Sequence, residues 1–486
     1  MGDLRCVRID GRSPLRPFRV STRTVSRLYE SVYVCQGPNL QRLALRAVVK
    51  TAIVGAGPTG LFLGLALARR GHTVTVVDRD PGPASAVEWD RKGVMQFRLP
   101  HYFRPQVREA LLEEAPDLVD ELLVAGALLA PVNPLVPNIV GFRMRRVLFE
   151  RVLRAAAAAA PNVSLVAGHA ERVMIANARV SGLIVDGAPL DSDLVIDASG
   201  RSSRLSDSLR AAAVGGDSGF AYVCREYALR PGADPGPLNS PPGWAGLYDG
   251  YLVIVFLQDA GTFQVLIVRR SDDQELAQLR HDNLFDVAAS AIPSIATWVH
   301  PDRATPHSSA MAGAGLHNRY RSQRMQDGTI AADGLVFVGD AVLTTNPAAG
   351  RGVTTSLMQA QRLLRAFDEH GSDFTAVSLD FDQWCLETMK PWFDDHVRWD
   401  ADLISRWRGE PIDFSRPLPS DLICSLAEID PSVMPIVGPY WGMVVGPEVL
   451  ATIEQRAREA LRSGFRPAVP PGPTRDELVD LISSAA

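Results

Sequence analysis

Paired cysteines are missing from this sequence. Its five cysteines, Cys6, Cys35, Cys224, Cys385 and Cys424, are scattered and form no CxxC pair. That spacing fits a reducing compartment and supplies neither a disulfide framework nor a zinc cage. Long apolar runs are also missing. The nearest approach, residues 122–130, is cut off by Pro131 and Pro134 well short of a bilayer span. Charge of one sign is scarce, with a formal net charge of -5 over 486 residues. This argues against general affinity for nucleic acid or membrane surfaces. No internal repeat is visible. What remains, 46% hydrophobic and 22% charged, is an ordinary globular composition. The length allows two or three domains with sizeable cores. The expected partner is a small molecule, and the expected location is cytoplasmic.

Residues 1–49 stand apart. Up to Lys50 the chain holds nine Arg and one Lys against Asp3, Asp10 and Glu30, a local charge of +7 that leaves -12 for the rest. Such a composition suits an organellar targeting peptide or a basic arm. The preferred reading is a mobile extension.

The chain is organised around residues 51–80. Residues 51–54 are a short apolar run that enters Gly55-Ala56-Gly57-Pro58-Thr59-Gly60. Residues 61–70 carry apolar side chains at helical spacing, Gly71 ends the helix, and 73–77 is a β-branched run closing on Asp78. In a dinucleotide site the first glycine makes the tight turn, the second admits a pyrophosphate, and the third packs helix on strand. Exposed amides at the helix start favour the pyrophosphate charge. Asp78 is placed to accept ribose hydroxyls. This stretch alone leaves FAD and NAD both open.

Beyond it, 88–108 mixes charge, aromatics and proline without a period. Helices are expected at 109–126 and 144–160, and short strands at 163–166, 170–176, 179–185 and 193–197. A second sheet is expected from 220–229, 250–256 and 262–269, followed by a helix over 282–298. A strand at 334–338 and a long helix at 353–369 come next. Further helices are expected at 381–407, 447–462 and 476–482.

Two more strand-end motifs follow. Asp197-Ala198-Ser199-Gly200-Arg201-Ser202-Ser203-Arg204 ends the strand of Leu194, Val195 and Ile196. Gly339-Asp340-Ala341 ends the strand at 335–338 and leads to Asn346-Pro347-Ala348-Ala349-Gly350-Arg351-Gly352. In the latter an acid ends a strand and a proline–glycine turn opens a helix, whose start favours partial negative charge. Together, in this order, the three motifs resemble the FAD-dependent aromatic hydroxylase superfamily over roughly residues 50–410. Within it, the runs RKGVMQFRLPH and NPAAGRGV look most like the epoxidase-like bacterial FAD-dependent oxidoreductases.

The resemblance implies an α/β protein. A Rossmann-type FAD-binding domain (50–215 and 325–375) is interleaved with a β-sheet substrate domain (216–324), and a helical C-terminal part (376–486) follows. It also implies roles. Gly55, Gly57 and Gly60, with Pro58 and Thr59, hold the FAD pyrophosphate, while Asp78 and the adjacent Arg79 serve the adenosine ribose. Arg146 contacts the phosphate or ribityl region. Asp197 and Arg204 serve FAD and a transient NAD(P)H, and Gly339 and Asp340 the ribityl chain. Pro347 lies beside the flavin ring, and Gly350, Arg351, Gly352 and Val353 give amides to its pyrimidine edge. Arg91, Gln96 and Arg108 are further flavin contacts, with a surface salt bridge as the alternative for each.

Two absences qualify the resemblance. The WxWxIP segment of flavin halogenases does not occur, and no second glycine-rich unit offers NAD(P)H a domain of its own. The implied activity is that of an FAD-dependent monooxygenase using NAD(P)H and O₂ on an apolar or aromatic small molecule. The alternatives are a flavin-dependent reductase or dehydrogenase of a prenyl or quinone-like lipid, and a non-catalytic binding protein on the same fold. The substrate is expected between the flavin ring and the second sheet. Tyr222, Arg225, Tyr227 and Tyr251 are candidates to orient it, with His317 and Arg319 nearby. No protein base stands out.

Overall fold

The computed structural model describes residues 48–85, 88–132, 139–203, 205 and 207–485. Arg204 and the extension up to residue 47 lie outside the described residues. Five short strands form a parallel sheet in the order Leu335–Phe337, Leu194–Asp197, Lys50–Val54, Thr73–Asp78 and Val163–Ala167. The register sets Val54 opposite both Val77 and Asp197, and Asp197 opposite Phe337. All three sequence motifs therefore leave the sheet at one edge, the carboxyl edge, where open α/β sheets bind ligands.

The glycines of the first turn divide their work by contact. Gly55 has φ +106, and a Cβ there would stand 2.5 Å from the Ala198 carbonyl oxygen. A Cβ on Gly60 would stand 1.9 Å from the Gly55 oxygen. Gly57 differs, because its hypothetical Cβ meets nothing closer than Arg91 Nη1 at 3.9 Å. Two glycines thus serve packing, and the middle one leaves open space.

Between the fourth and fifth sheet positions in sequence, the chain builds an antiparallel sheet. Its order is Gly243–Leu247, Tyr251–Leu257, Thr262–Arg270, Phe220–Leu229 and Ala304–Pro306. One face packs against the helices Asp282–Ala291, Pro293–Val299 and Arg475–Ser484. The other face turns toward Ala348 of the proline–glycine turn. A three-stranded link of Val214–Asp217, His317–Tyr320 and Leu343–Thr344 joins the two halves. The interleaved α/β architecture expected from the sequence is observed.

Several elements differ from expectation. The helix at 109–126 is two helices, Pro105–Glu114 and Asp117–Val124, because Ala115 before Pro116 leaves the helical region at φ -155, ψ 63. The one at 282–298 breaks at Ile292 before Pro293 for the same reason. The expected 381–407 helix starts earlier, at Phe374, and contains a π-helical turn at Cys385–Met389 before Lys390–Trp407. Short strands such as Leu128–Pro131 paired with Val140–Arg143 were not foreseen. Cys224, Cys385 and Cys424 are free and buried. Among the described residues no helix is long and apolar enough to cross a membrane.

The glycine contacts make a stability test possible without any ligand. Gly60→Ala forces a methyl into the Gly55 carbonyl and should cost about 1–3 kcal/mol in urea unfolding. Gly57→Ala should stay within about 0.5 kcal/mol of the parent. Equal costs at the two positions would contradict these roles.

Candidate cofactor site

The helix Pro58–Arg69 begins at Gly57 with no side-chain cap. Its first amides therefore face the open space in front of Gly57, a ready anion site. Asp78 ends the neighbouring strand. Its Oδ2 accepts the Ala56 amide at 2.7 Å, and its Oδ1 accepts the Asp80 amide at 2.8 Å. Thr59 packs its hydroxyl toward Gly339, 3.1 Å from where a Cβ would stand. That contact ties the first motif to the third.

Arg91 is not a surface ion pair. It is 4% exposed and reaches Asp78 and Glu150, each at 2.6 Å, while donating to the Ala56 carbonyl at 3.1 Å. Burial works against its charge, but Glu150, Asp78 and Asp80 outweigh that and raise its pKa. Its Nε keeps no hydrogen bond. Glu150 is fully buried and also bonds Arg146, one helical turn earlier. Arg146 in turn acts electrostatically on Asp340, whose carboxyl is raised by burial and lowered by Arg146, Ser356 and Arg201. Charges of alternating sign thus run from Asp78 to Asp340. Arg79 is exposed at the strand end, and Arg108 is half-buried on the helix Pro105–Glu114.

Two of the expected site residues have their side chains engaged within the protein. The Asp197 carboxylate is fully buried and is spent on its own turn, accepting from the Ser199 amide at 3.0 Å and from the Ser199 and Ser203 hydroxyls. It shapes the second motif instead of reaching outward. The Arg351 side chain turns away from the site. It bonds Tyr440 at 2.9 Å and Asp395 at 3.1 Å, and stacks 4.5 Å over Trp392. Only its backbone remains available to the turn. Arg351 precedes the helix Gly352–His370, whose start has no side-chain cap. Pro347 and Val353 are half-buried, Gly352 is exposed, and a Cβ on Gly350 or Gly352 would meet nothing within 4 Å.

The proline–glycine turn is held from outside by residues that the motifs do not contain. Arg104 donates to Ala349 at 2.9 Å and to Trp441 at 2.6 Å. Burial, with Arg351 nearby, pushes its pKa down to about 10. Asn346 is tied to Asn318 and Asp400. Sequence reasoning missed these, although one signal existed. Trp392, His396, Asp400 and Trp407 share one helical stripe, so two polar residues occupy core-facing positions.

Strand alternation sorts the substrate candidates. Tyr222 lies on the face toward Ala348, with its hydroxyl bonded to Gln96. Tyr227 and Arg225 point the opposite way and bond Asp286 at 2.6 and 2.7 Å. Tyr251 also faces away and donates to Pro473 at 2.7 Å. Of the four strand candidates, Tyr222 alone borders the turn. His101 was not singled out by the sequence. Its Nδ1 lies 2.9 Å from the Leu99 carbonyl, and burial with Arg146 pushes its pKa down to about 3. Arg201, Arg210, Arg319 and Arg321 line a small cleft beside Asp340. His317 is exposed, with Nδ1 2.9 Å from Gly315 O.

Residues 50–148 match the family model described as FAD dependent oxidoreductase. The NAD-dependent dihydropyrimidine dehydrogenase subunit PreT of Escherichia coli (strain K12) is 36% identical over 64 residues, 13% of this chain and 15% of that protein. Its counterpart in Salmonella typhimurium is 34% identical over 79 residues, 16% of this chain and 18% of that protein. The chain thus spans under a fifth of the length of the curated relatives it matches. Solved structures match far more. The flavin-dependent brominase Bmp2 aligns with TM-score 0.59 at 16% identity, over 85% of this chain and 99% of its own. PqsL, a probable FAD-dependent monooxygenase from Pseudomonas aeruginosa, aligns with TM-score 0.55 at 16% identity, over 74% and 98%. The flavin-dependent halogenase CmlS aligns with TM-score 0.59 at 18% identity, over 86% and 77%. At these identities the likeness is one of fold, and it agrees with the α/β architecture expected from the sequence.

Two measurements probe the charges. Glu150→Ala leaves Arg91 and Arg146 without their shared buried partner, and should cost about 3–5 kcal/mol in denaturant unfolding. A change under 1 kcal/mol would contradict the buried line. Burial pushes the Glu109 carboxyl up to about 7 from an ordinary 4.5, with Arg108 opposing. Its folded pKa exceeds the unfolded one, so its stabilising contribution is complete below about 4.5 and lost as pH rises through 7. Glu109→Gln should flatten the fall in stability between pH 5 and pH 8; an unchanged slope would place the titration elsewhere.

Proposed function

We propose that this chain is an FAD-dependent monooxygenase that uses NAD(P)H and O₂ to hydroxylate or epoxidise an apolar or aromatic small molecule. The observation that carries this reading is the wall facing the proline–glycine turn. Leu99, Tyr102, Phe256, Leu266 and Leu316 gather with Ala348 into one apolar cluster beside the expected flavin ring. The balanced reaction consumes NAD(P)H, a proton, O₂ and substrate, and yields NAD(P)⁺, water and the oxygenated product.

The residues present fit FAD. The open space at Gly57 and the uncapped amides behind it suit the pyrophosphate. Asp78 keeps lone pairs for ribose hydroxyls, and Asp340 offers an acceptor to the ribityl chain. The uncapped start of the helix Gly352–His370 offers a positive potential that would suit a reduced pyrimidine edge, which gains negative charge. FAD, when bound, supplies hydride acceptance and transfer of one oxygen atom from O₂. The protein supplies placement and a dry wall. Tyr222, held by Gln96, and the buried Tyr102 hydroxyl add polar tips to this otherwise apolar wall and would orient the substrate. The exposed Arg201 and Arg319 beside Asp340 support transient docking of the NAD(P)H phosphates.

NAD(P)H oxidation by the FAD-loaded chain should be followed against phenols, polyenes and terpenoids. A true substrate should accelerate flavin reduction and gain one oxygen atom from labelled O₂. Anaerobic turnover to product would favour the dehydrogenase reading, and peroxide release alone would reject the compound tested. Asp340→Ala should lower bound FAD per chain; full retention would remove its ribityl role.

A further inference from the structure

The helix Lys390–Trp407 turns Trp392, His396, Asp400, Leu403 and Trp407 inward. Asp400 is 2% exposed, and both of its oxygens act as acceptors. Oδ2 takes the Asn318 side-chain amide at 2.7 Å, and Oδ1 takes that of Asn346 at 3.3 Å. Asn318 Oδ1 accepts the Asn346 backbone amide at 2.6 Å, and Asn346 Oδ1 accepts the Ala348 amide at 3.1 Å. One carboxylate therefore stands behind both donors of Asn346, the residue that opens the proline–glycine turn: the side-chain amide directly and the backbone amide through Asn318.

His396 does not neutralise it. The imidazole is fully buried, its Nδ1 lies 3.9 Å from Asp400 Oδ1, and neither ring nitrogen has a hydrogen-bond partner. Burial holds this ring in its neutral form, with Arg351 acting in the same direction and Asp400 and Asp395 opposing. Arg351, the cation nearest the turn in sequence, is engaged by Asp395 and Tyr440. A carboxylate in such a place costs several kcal/mol of desolvation, and an apolar residue would fill the stripe more cheaply.

We propose that Asp400 is a positioning residue for the flavin: through Asn318 and Asn346 it sets the turn at 346–352, and its charge makes the bound flavin harder to reduce. This rests on FAD occupying that turn. The uncapped helix start favours the anionic reduced cofactor, and the Asp400 charge behind the turn opposes it. Removing the charge should favour reduced over oxidised FAD by about tenfold. For a two-electron couple that is a midpoint shift of about 30 mV to more positive potential.

The test uses the full chain loaded with FAD, and reads FAD affinity and midpoint potential together. Asp400→Asn removes the charge and should shift the potential positively while FAD stays bound. Asn318→Ala keeps the charge but cuts the link, and should weaken FAD binding about tenfold without the positive shift. A charge that only stabilised the fold would leave the potential of Asp400→Asn where it was, and that result overturns the proposal. If Asp400→Asn does not fold, wild-type FAD affinity in Asn318→Ala overturns it alone. Failure of the wild-type chain to bind FAD rejects the cofactor reading itself, and is seen before any variant is made.

Discussion

A buried line of alternating charge holds the carboxyl edge of the parallel sheet together. Asp78 pairs with Arg91, Arg91 with Glu150, and Glu150 with Arg146, which acts on Asp340. These ions lose water on folding, and for Asp78, Arg91, Glu150 and Arg146 the loss is tolerable because a partner of opposite charge stands at contact distance. The line therefore demands that the first and third motifs and the helix Arg146–Ala159 arrive together. The glycine turn imposes a second demand at the same edge. Gly55 and Gly60 leave no room for a side chain, so the second motif's backbone closes directly on the first. Charge and close approach together set the three motifs in one track along neighbouring strand ends.

The track was largely legible in the sequence, because its devices are local. A glycine spacing, an acid at a strand end and a proline–glycine turn each announce themselves within ten residues. The alternation of Phe220–Leu229 was equally present, yet the side of the sheet that would meet the turn was not. Tyr222 and Tyr227 look equivalent in sequence, and only the fold sends one toward Ala348 and the other to Asp286. Arg351 divides its backbone from its side chain for a related reason. Its backbone belongs to the turn, while its side chain answers to Asp395 and Tyr440, which are 44 and 89 residues away. The Asp197 carboxylate is likewise claimed by its own serines, a local use that the motif does not announce.

The least legible part is the support behind the turn. Arg104, Asn318 and the pair Asp395 and Asp400 come from three separate stretches of chain, and no local pattern links them. The C-terminal helices thus do more than enlarge the molecule. They grip the turn through Arg351 on one side and Asn346 on the other, and Trp407 of the same helix packs edge-on against Phe220 of the antiparallel sheet. Cofactor turn and substrate wall are braced by one helix. A shift in that helix would be felt at both.

The central claim is that the three motifs form one continuous site for a whole dinucleotide. It is tested most directly by titrating the purified chain with FAD and with FMN, and following flavin fluorescence. The site at Gly57 and Asp78 makes the adenosine half indispensable, so FAD should bind at one per chain and FMN should bind far more weakly. Equal binding of the two, or binding of neither, would contradict it.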